Sequence, residues 1–318
     1  MKTYLITGGA GFIGSSLVQK LINDNNIIVI DNFNDYYNPD IKENNIGDYI
    51  GYKNFKLYRG DIRDKELLDT IFSNHQIDVV IHLAAMAGVR NSIINPRLYH
   101  DVNCTGTLNL LEKMKDYCIN KFIFISSSSV YANCREKLFK ENCCVDSVIS
   151  PYAATKKYGE EITYLYHNLY NIDSIILRLF TVYGPRQRPD LAISKFTNLI
   201  LNDQAIDMYG DGSTYRDYTY IEDTLSGIIS SIKYLENNKD VCEIINIGNS
   251  NPVKLIDMIN ILGKKLNKHV IINRLGMQPG DVNYTWADIS KAKRLLDYEP
   301  KITFEEGIER YVKSLKFK

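Results

Sequence analysis

The chain is predicted to be an α/β protein, a doubly wound parallel sheet followed by a smaller C-terminal unit. Three observations predict it. Short β-branched runs alternate with amphipathic stretches of helical length through the first half. A glycine-rich turn, Gly8 to Gly14, follows the first run directly. Past Phe180 the alternation gives way to turn signals at Gly184-Pro185, Arg188-Pro189 and Gly210-Asp211-Gly212.

Taken in order, strands are expected near Tyr4–Thr7, Ile27–Ile30, Lys56–Tyr58, Val79–His82, Phe122–Ile125 and Ser174–Leu177. Ser15–Ile22 has helical character, and the Asn- and Asp-rich stretch Asp31–Asp48 reads as a loop. Leu98–Tyr117 carries Leu108, Leu111 and Met114 at helical spacing, and Tyr152–Tyr170 carries Ile162, Leu165 and Leu169 likewise. Both are expected to cover the sheet. One more helix is expected near Ile193–Leu201. Residues 1–179 are assigned to a cofactor-binding domain and 180–318 to a substrate-binding one, with the segment near 243–249 returning to the main sheet.

The length of 318 residues suits two packed units. Lys plus Arg and Asp plus Glu each number 38, a balance that argues against nucleic acid or an anionic membrane as partner. The N-terminus lacks the apolar stretch of about 7–15 residues of a signal peptide, and no run of ~18 apolar residues could span a bilayer, so a cytoplasmic location is expected. Cys104, Cys118, Cys134, Cys143, Cys144 and Cys242 form no CxxC pair, and no histidine stands at metal-ligand spacing. Reduced thiols and no metal are expected.

Strand Tyr4–Thr7 feeds Gly8-Gly9-Ala10-Gly11-Phe12-Ile13-Gly14, a G-x-x-G-x-x-G variant of the Rossmann dinucleotide fingerprint. Glycines there allow the tight turn and let backbone amides and a helix N-terminus approach a pyrophosphate. The second strand ends in Asp31, followed by Asn32, where a carboxylate would accept hydrogen bonds from an adenosine ribose. That carboxylate favours NAD over NADP. Further on, Tyr152 and Lys156 stand four residues apart at a helix start, hence on one face. A tyrosine is a general base only as phenolate, and moving its pKa from about 10 to about 7 requires roughly 4 kcal/mol. A nearby ammonium could supply it, although such a spacing alone is usually a solvated helix face. Ser126–Ser129 follow a strand at the carboxyl end, where ligands of parallel sheets bind.

With these residues in view the chain resembles the extended short-chain dehydrogenase/reductase family, and within it the nucleotide-sugar epimerases. The resemblance rests on TGGAGFIG, GDIRD at Gly60–Asp64, HLAA at His82–Ala85, SSSSVY at Ser126–Tyr131, YxxxK at Tyr152–Lys156, RLFTVYGP at Arg178–Pro185, RDYTYIED at Arg216–Asp223 and WADISKA at Trp286–Ala292. It implies that Asp61 and Ile62 flank the adenine of NAD, that Leu83, Ala84, Ala85 and Asn103 border the cofactor, and that Arg216 holds a diphosphate. Ser127 matches the hydroxyl partner of the tyrosine.

Relatives that eliminate water carry Asp-Glu at the next two positions, and UDP-glucuronate decarboxylases carry a Glu at the second. Here those positions are Ser128 and Ser129. The resemblance therefore implies oxidation and re-reduction without elimination, which is epimerisation of a UDP-sugar. DNFNDYY at Asp31–Tyr37, AGVR at Ala87–Arg90 and FTVYGPRQRPD at Phe180–Asp190 are similar to UDP-glucuronate 4-epimerases in particular. Ser128, Ser129 and Thr181 would then offer hydroxyls to a carbon-5 carboxylate, with Arg90 and Arg188 adding positive charge there or at the diphosphate. Gln278 departs from the arginine usual in UDP-galactose 4-epimerases. The competing readings are a 4-epimerase of UDP-glucose or an N-acetylated sugar, and a non-catalytic NAD-sensing protein. Relatives often pair through the two long helices, so the resemblance implies a homodimer.

Overall fold

Strand β1 (Thr3–Thr7) opens the chain and runs into the glycine turn, which is followed by α1 (Phe12–Leu21), β2 (Asn26–Asp31) and α2 (Pro39–Ile46). Then come β3 (Phe55–Arg59), α3 (Lys65–Asn74), β4 (Val79–His82), α4 (Val89–Ile94), α5 (Pro96–His100), α6 (Gly106–Asp116), β5 (Lys121–Ser127), α7 (Pro151–Tyr170) and β6 (Asp173–Leu179). The remainder holds β7 (Thr181–Tyr183), α8 (Ala192–Leu201), β8 (Ile206–Tyr209), β9 (Tyr215–Arg216), β10 (Tyr218–Tyr220), α9 (Ile221–Asn237) and β11 (Cys242–Ile247). It ends with β12 (Val253–Lys254), α10 (Leu255–Leu266), β13 (Ile272–Leu275), α11 (Ser290–Leu296) and α12 (Phe304–Ser314). The computed structural model describes residues 1–131, 134, 136–143, 145, 147–276 and 283–315.

Seven strands form one sheet in the order β11-β6-β5-β4-β1-β2-β3. Pairings from β3 through β2, β1 and β4 to β5 are parallel. The order reverses between β1 and β4, the switch point at which doubly wound sheets bind ligands beyond their carboxyl ends. Burial on both faces explains the unbroken apolar runs: Leu5, Ile6, Val79, Val80 and Ile81 have no exposed surface. Leu68, Ile71, Leu110, Leu111 and Met114 pack onto that sheet from α3 and α6.

The chain divides into two compact units. The first comprises Met1–Asn133, Val145–Arg178 and Ile228–Ile245; the second comprises Cys134–Cys144, Leu179–Gly227 and Asn246–Lys318. A single cut at residue 180 therefore does not describe the division, because the chain crosses between units several times. Within the second unit, β7 pairs with β10, β9 with β12 and β8 with β13. It is more regular than its turn residues suggest.

Three local expectations need correction. The stretch Asp31–Asp48 is not all loop, because α2 forms inside it. Asn38 accepts the Asp40 N–H at 2.9 Å and Pro39 occupies the first turn, so the polar residues that read as loop formers act as a helix start. The predicted helix Leu98–Tyr117 is interrupted by a π-turn over Asp101–Thr105. In α7 the sheet-facing stripe is Ala153, Lys156, Gly159, Glu160 and Thr163, whereas Leu165 and Leu169 are 45 % and 58 % exposed. Of the three spaced apolar residues Ile162 packs against the core, and Leu165 and Leu169 mark the outward face.

That inversion has a physical cause in a buried ion pair. Arg178 on β6 donates to Glu160 on α7 through Nε at 2.8 Å and Nη2 at 2.7 Å, and both side chains are 1 % exposed. Ser126 Oγ donates to the same carboxylate at 2.6 Å, and the guanidinium lies 4.7 Å over the Tyr131 ring. The pair is bidentate and fully enclosed, the geometry in which removing one partner strands a buried charge. Arg178→Met is expected to lower the unfolding free energy by about 3–5 kcal/mol in urea denaturation, and the double variant Arg178→Met/Glu160→Leu by less than that. A loss under about 1 kcal/mol in the single variant would contradict this role.

Candidate functional site

The glycine turn is set by sterics. Gly8 has φ +69°, and a Cβ on Gly14 would lie 2.3 Å from the Gly8 carbonyl oxygen. Both positions are closed to larger residues. Gly11 caps α1 with extended backbone and no side-chain hydrogen bond, so the first N–H groups of α1 point at the turn without a side-chain acceptor. Phe12 is buried beneath the turn and Ile13 is half-buried.

Asp31 closes the cradle. Its carboxylate accepts the Ala10 N–H at 3.1 Å and the Phe33 N–H at 2.9 Å, which ties the end of β2 to the turn. Burial pushes its pKa up, while Lys42, 3.9 Å away, and those N–H groups oppose the shift. A carboxylate has about four lone-pair sites, so acceptor capacity is left for ribose hydroxyls. Lys42 and Asn45, both buried on α2, complete this corner; Asn45 donates to the Ala10 carbonyl at 3.1 Å. The loop reading of Asp31–Asp48 concealed both. Asn32 donates to Asp61 at 2.8 Å, and Arg63 chelates the same carboxylate. Partial burial raises the pKa of Asp61, but these bonds outweigh it and hold it at about 2. Ile62 is buried directly under Gly106. The residues present thus fit a dinucleotide: an uncapped helix start for the pyrophosphate and a buried carboxylate for the ribose.

Beyond β4, Leu83 N–H bonds the Thr7 carbonyl at 3.2 Å and Ala84 N–H the Thr7 hydroxyl at 3.1 Å, so the two strands at the switch point share one edge. Ala85 continues this segment, half-buried. His82 sits between Thr7 Oγ1 and Thr107 Oγ1 at 2.7 and 2.9 Å, and complete burial depresses its pKa to about 3. It is a neutral brace. Asn103 lies in the π-turn, a feature frequent at functional sites. Its oxygen accepts Met86 N–H at 2.8 Å, and its nitrogen donates to Met86 O and Thr155 Oγ1, each at 2.9 Å. With both donors used by protein groups, Asn103 acts by fixing the loop after β4 against α7.

Tyr152 and Lys156 occupy the first turns of α7, which is capped by Ser150 through Ala153 N–H at 3.1 Å. Tyr152 stacks edge-on against Tyr99, with ring centroids 6.2 Å apart. The Lys156 ammonium is buried, donates to the Ile125 carbonyl at 2.7 Å and lies over the Phe124 ring. Desolvation lowers its pKa to about 8, against the opposing influence of Cys104 and Glu160. Lys156 is thereby anchored one residue before the serine turn. There Ser127 and Ser129 hydroxyls are 3.1 Å apart, Ser127 Oγ also accepts Ser129 N–H at 3.1 Å, and Ser128 starts the 3-10 turn between them. Arg90 is exposed on α4.

The other sequence-predicted residues belong to the second unit. Thr181 donates its N–H to the Asp217 carbonyl at 3.0 Å and pairs in register with Tyr218. Arg216 pairs with Val253 and donates through Nη1 to the Tyr215 carbonyl at 2.8 Å. Arg188 is chelated by Asp190, Nε to Oδ1 at 3.0 Å and Nη2 to Oδ2 at 2.8 Å, so a substrate anion would compete with a neighbouring carboxylate for its charge. Gln278 lies outside the described residues.

A profile of the family described as GDP-mannose 4,6 dehydratase matches residues 5–311. The chain is 45% identical over 314 residues to the UDP-glucuronate 4-epimerase of Thermodesulfobacterium geofontis, covering 98% of this chain and 95% of the relative. Among solved structures it resembles the UDP-glucuronic acid 4-epimerase from Bacillus cereus in complex with UDP-glucuronic acid and NAD, at TM-score 0.92 and 37% identity over 98% of both chains. It also resembles the UDP-glucose 4-epimerase from Thermotoga maritima with UDP-glucose, at TM-score 0.87 and 32% identity over 98% of both chains.

Burial of Lys156 leaves a pH signature in the unliganded protein. Its pKa falls from 10.5 to about 8 on folding, so between those values the unfolded chain binds more protons than the folded one. The cost of burying the ammonium is fully present below about pH 8 and is relieved as pH rises toward 10.5. Urea denaturation at several pH values in this window should show wild type gaining stability relative to Lys156→Met. A constant difference would contradict the burial of a charged lysine.

Proposed function

The chain belongs to the family described as GDP-mannose 4,6 dehydratase, and on that premise we infer that it catalyses the NAD-dependent 4-epimerisation of UDP-glucuronate to UDP-galacturonate. The observation that carries this reading is the turn Ser127-Ser128-Ser129 at the end of β5, which offers hydroxyls and no carboxylate. Elimination of water from the sugar needs an acid and a base there; redox inversion needs neither.

NAD, when bound, supplies the acceptor and donor for the hydrogen of carbon 4. Tyr152 as phenolate removes the 4-hydroxyl proton, and Ser127 bridges phenol and sugar by hydrogen bonding. Lys156, charged and desolvated, stabilises the phenolate and holds the nicotinamide ribose. Asp31 orients the adenosine ribose, and the α1 N-terminus carries the pyrophosphate. Arg216 holds the diphosphate of the sugar nucleotide. Ser128, Ser129 and Thr181 donate to the carboxylate on carbon 5, with Arg90 and Arg188 adding positive charge. The 4-keto sugar then turns over and is reduced on its opposite face, with Tyr152 returning the proton.

A second reading, epimerisation of UDP-glucose, is favoured by the chelation of Arg188 by Asp190, which offsets the charge offered to a carboxylate. Two copies are proposed to pair through the outward face of α7, where Tyr158, Tyr164, Leu165, Leu169 and Tyr170 are 37 %, 56 %, 45 %, 58 % and 43 % exposed. A cytoplasmic location is supported by the free thiols of Cys104, Cys118, Cys134, Cys143 and Cys242. Among the described residues no helix is long and apolar enough to cross a membrane.

Tyr152→Phe should lose activity by at least ~10²-fold while still retaining NAD and binding UDP-glucuronate; more than about a tenth of wild-type turnover would exclude Tyr152 as the base. Efficiency with UDP-glucuronate should exceed that with UDP-glucose by roughly two orders of magnitude, and Thr181→Val should narrow the gap. Equal efficiency with the two sugars would select the second reading.

A further inference from the structure

Arg216 stands on β9, a strand of only two residues with two ladder pairs, Tyr215 with Lys254 and Arg216 with Val253. So short a strand does not fix a long side chain by itself. The next residue does far more. Asp217 has no exposed surface, and its carboxylate gathers three backbone donors from distant segments: Asn249 N–H to Oδ1 at 2.8 Å, and Ser250 and Ala287 N–H to Oδ2, each at 3.0 Å. Its own N–H donates to Thr285 Oγ1 at 3.0 Å, and its carbonyl accepts the Thr181 N–H at 3.0 Å. One residue therefore joins the strand of Arg216, the strand of Thr181, the turn after β11 and the segment before α11. A carboxylate is acceptor-only, which suits a point where three N–H groups converge and no cation is needed.

We propose that Asp217 is a positioning residue for substrate, holding Arg216 and Thr181 in the geometry that grips the sugar nucleotide. This rests on the reading that Arg216 binds the diphosphate. Asp217 touches no reacting atom in this scheme. Its effect falls on substrate affinity through Arg216 and Thr181, and leaves proton transfer at Tyr152 and retention of NAD in the first unit untouched. Asp217→Asn replaces one acceptor oxygen with a donor of the same size, so at least one of the three N–H groups loses its partner.

The test is steady-state kinetics with UDP-glucuronate and inhibition by UDP. Asp217→Asn should raise KM and the inhibition constant of UDP about tenfold, with kcat changed by less than about threefold and NAD retained. Thr285→Val, which removes only the acceptor of the Asp217 N–H, should shift both in the same direction by a smaller factor. In an Arg216→Ala background either change should add less than about twofold to KM, because coupled residues are not additive. KM unchanged in both variants, kcat falling at constant KM, or full additivity with Arg216→Ala would overturn the proposal. If Asp217→Asn does not fold, Thr285→Val and its cycle with Arg216→Ala decide it alone. Failure of the underlying reading looks different: Arg216→Ala itself would then leave the inhibition constant of UDP unaltered.

Discussion

The first unit is organised around the enclosed pair of Arg178 and Glu160. It joins β6 to α7 and, through Ser126, to the end of β5. Each of these anchors abuts a residue assigned to the chemistry: Ser126 precedes Ser127, and Glu160 lies one helical turn beyond Lys156. With this charged stripe against the sheet, Tyr158, Tyr164, Leu165, Leu169 and Tyr170 are left on the outside, whereas Tyr166 stays in the core. Tyr152 and Lys156 thus stand one helical turn apart on an element fixed to the sheet, and neither depends on a flexible loop for its place.

The chemistry of the site depends on what the serine turn lacks. Oxidation at carbon 4 creates a β-keto acid in UDP-glucuronate, a species prone to losing carbon dioxide when the carboxylate is aligned with the carbonyl. The hydroxyls of Ser128 and Ser129 supply neither an acid nor a base to such a side reaction. Desolvation lowers the pKa of Lys156 to about 8, against the opposing influence of Cys104 and Glu160. Asp31 and His82 show the same principle in structural form, one a buried acceptor for the turn, the other a neutral brace between strands.

Much of this was legible in the sequence where the cause is local. Strands β1 to β6 are legible as short runs of β-branched, aromatic and leucine residues, and the cradle as glycines whose neighbours lie within six positions. The helix α2 was missed because Asn38 and Pro39 read equally as a turn and as a helix start until the cap bond is seen. The outward face of α7 was misread because spacing alone treats Lys156 and Glu160 as solvated, and only a partner 18 residues away, Arg178, makes burial of Glu160 tolerable. Asp217 was legible as part of a motif, but its carboxylate binds groups 32 and 70 residues downstream, a relation no local pattern carries. The bonds of Asn103 to Met86 and Thr155, which fix the loop after β4 against α7, likewise join residues 17 and 52 positions apart.

Carbon 4 is inverted by oxidation and re-reduction, with no acid or base acting at carbon 5. Epimerisation of UDP-glucuronate carrying deuterium at carbon 4, followed by NMR and mass analysis of the product, tests this most directly. The expected product is UDP-galacturonate that keeps its deuterium at carbon 4 and, in a parallel reaction of unlabelled substrate in deuterated water, gains none at carbon 5. Loss of the label to solvent, deuterium at carbon 5, or release of carbon dioxide as the main outcome would contradict it.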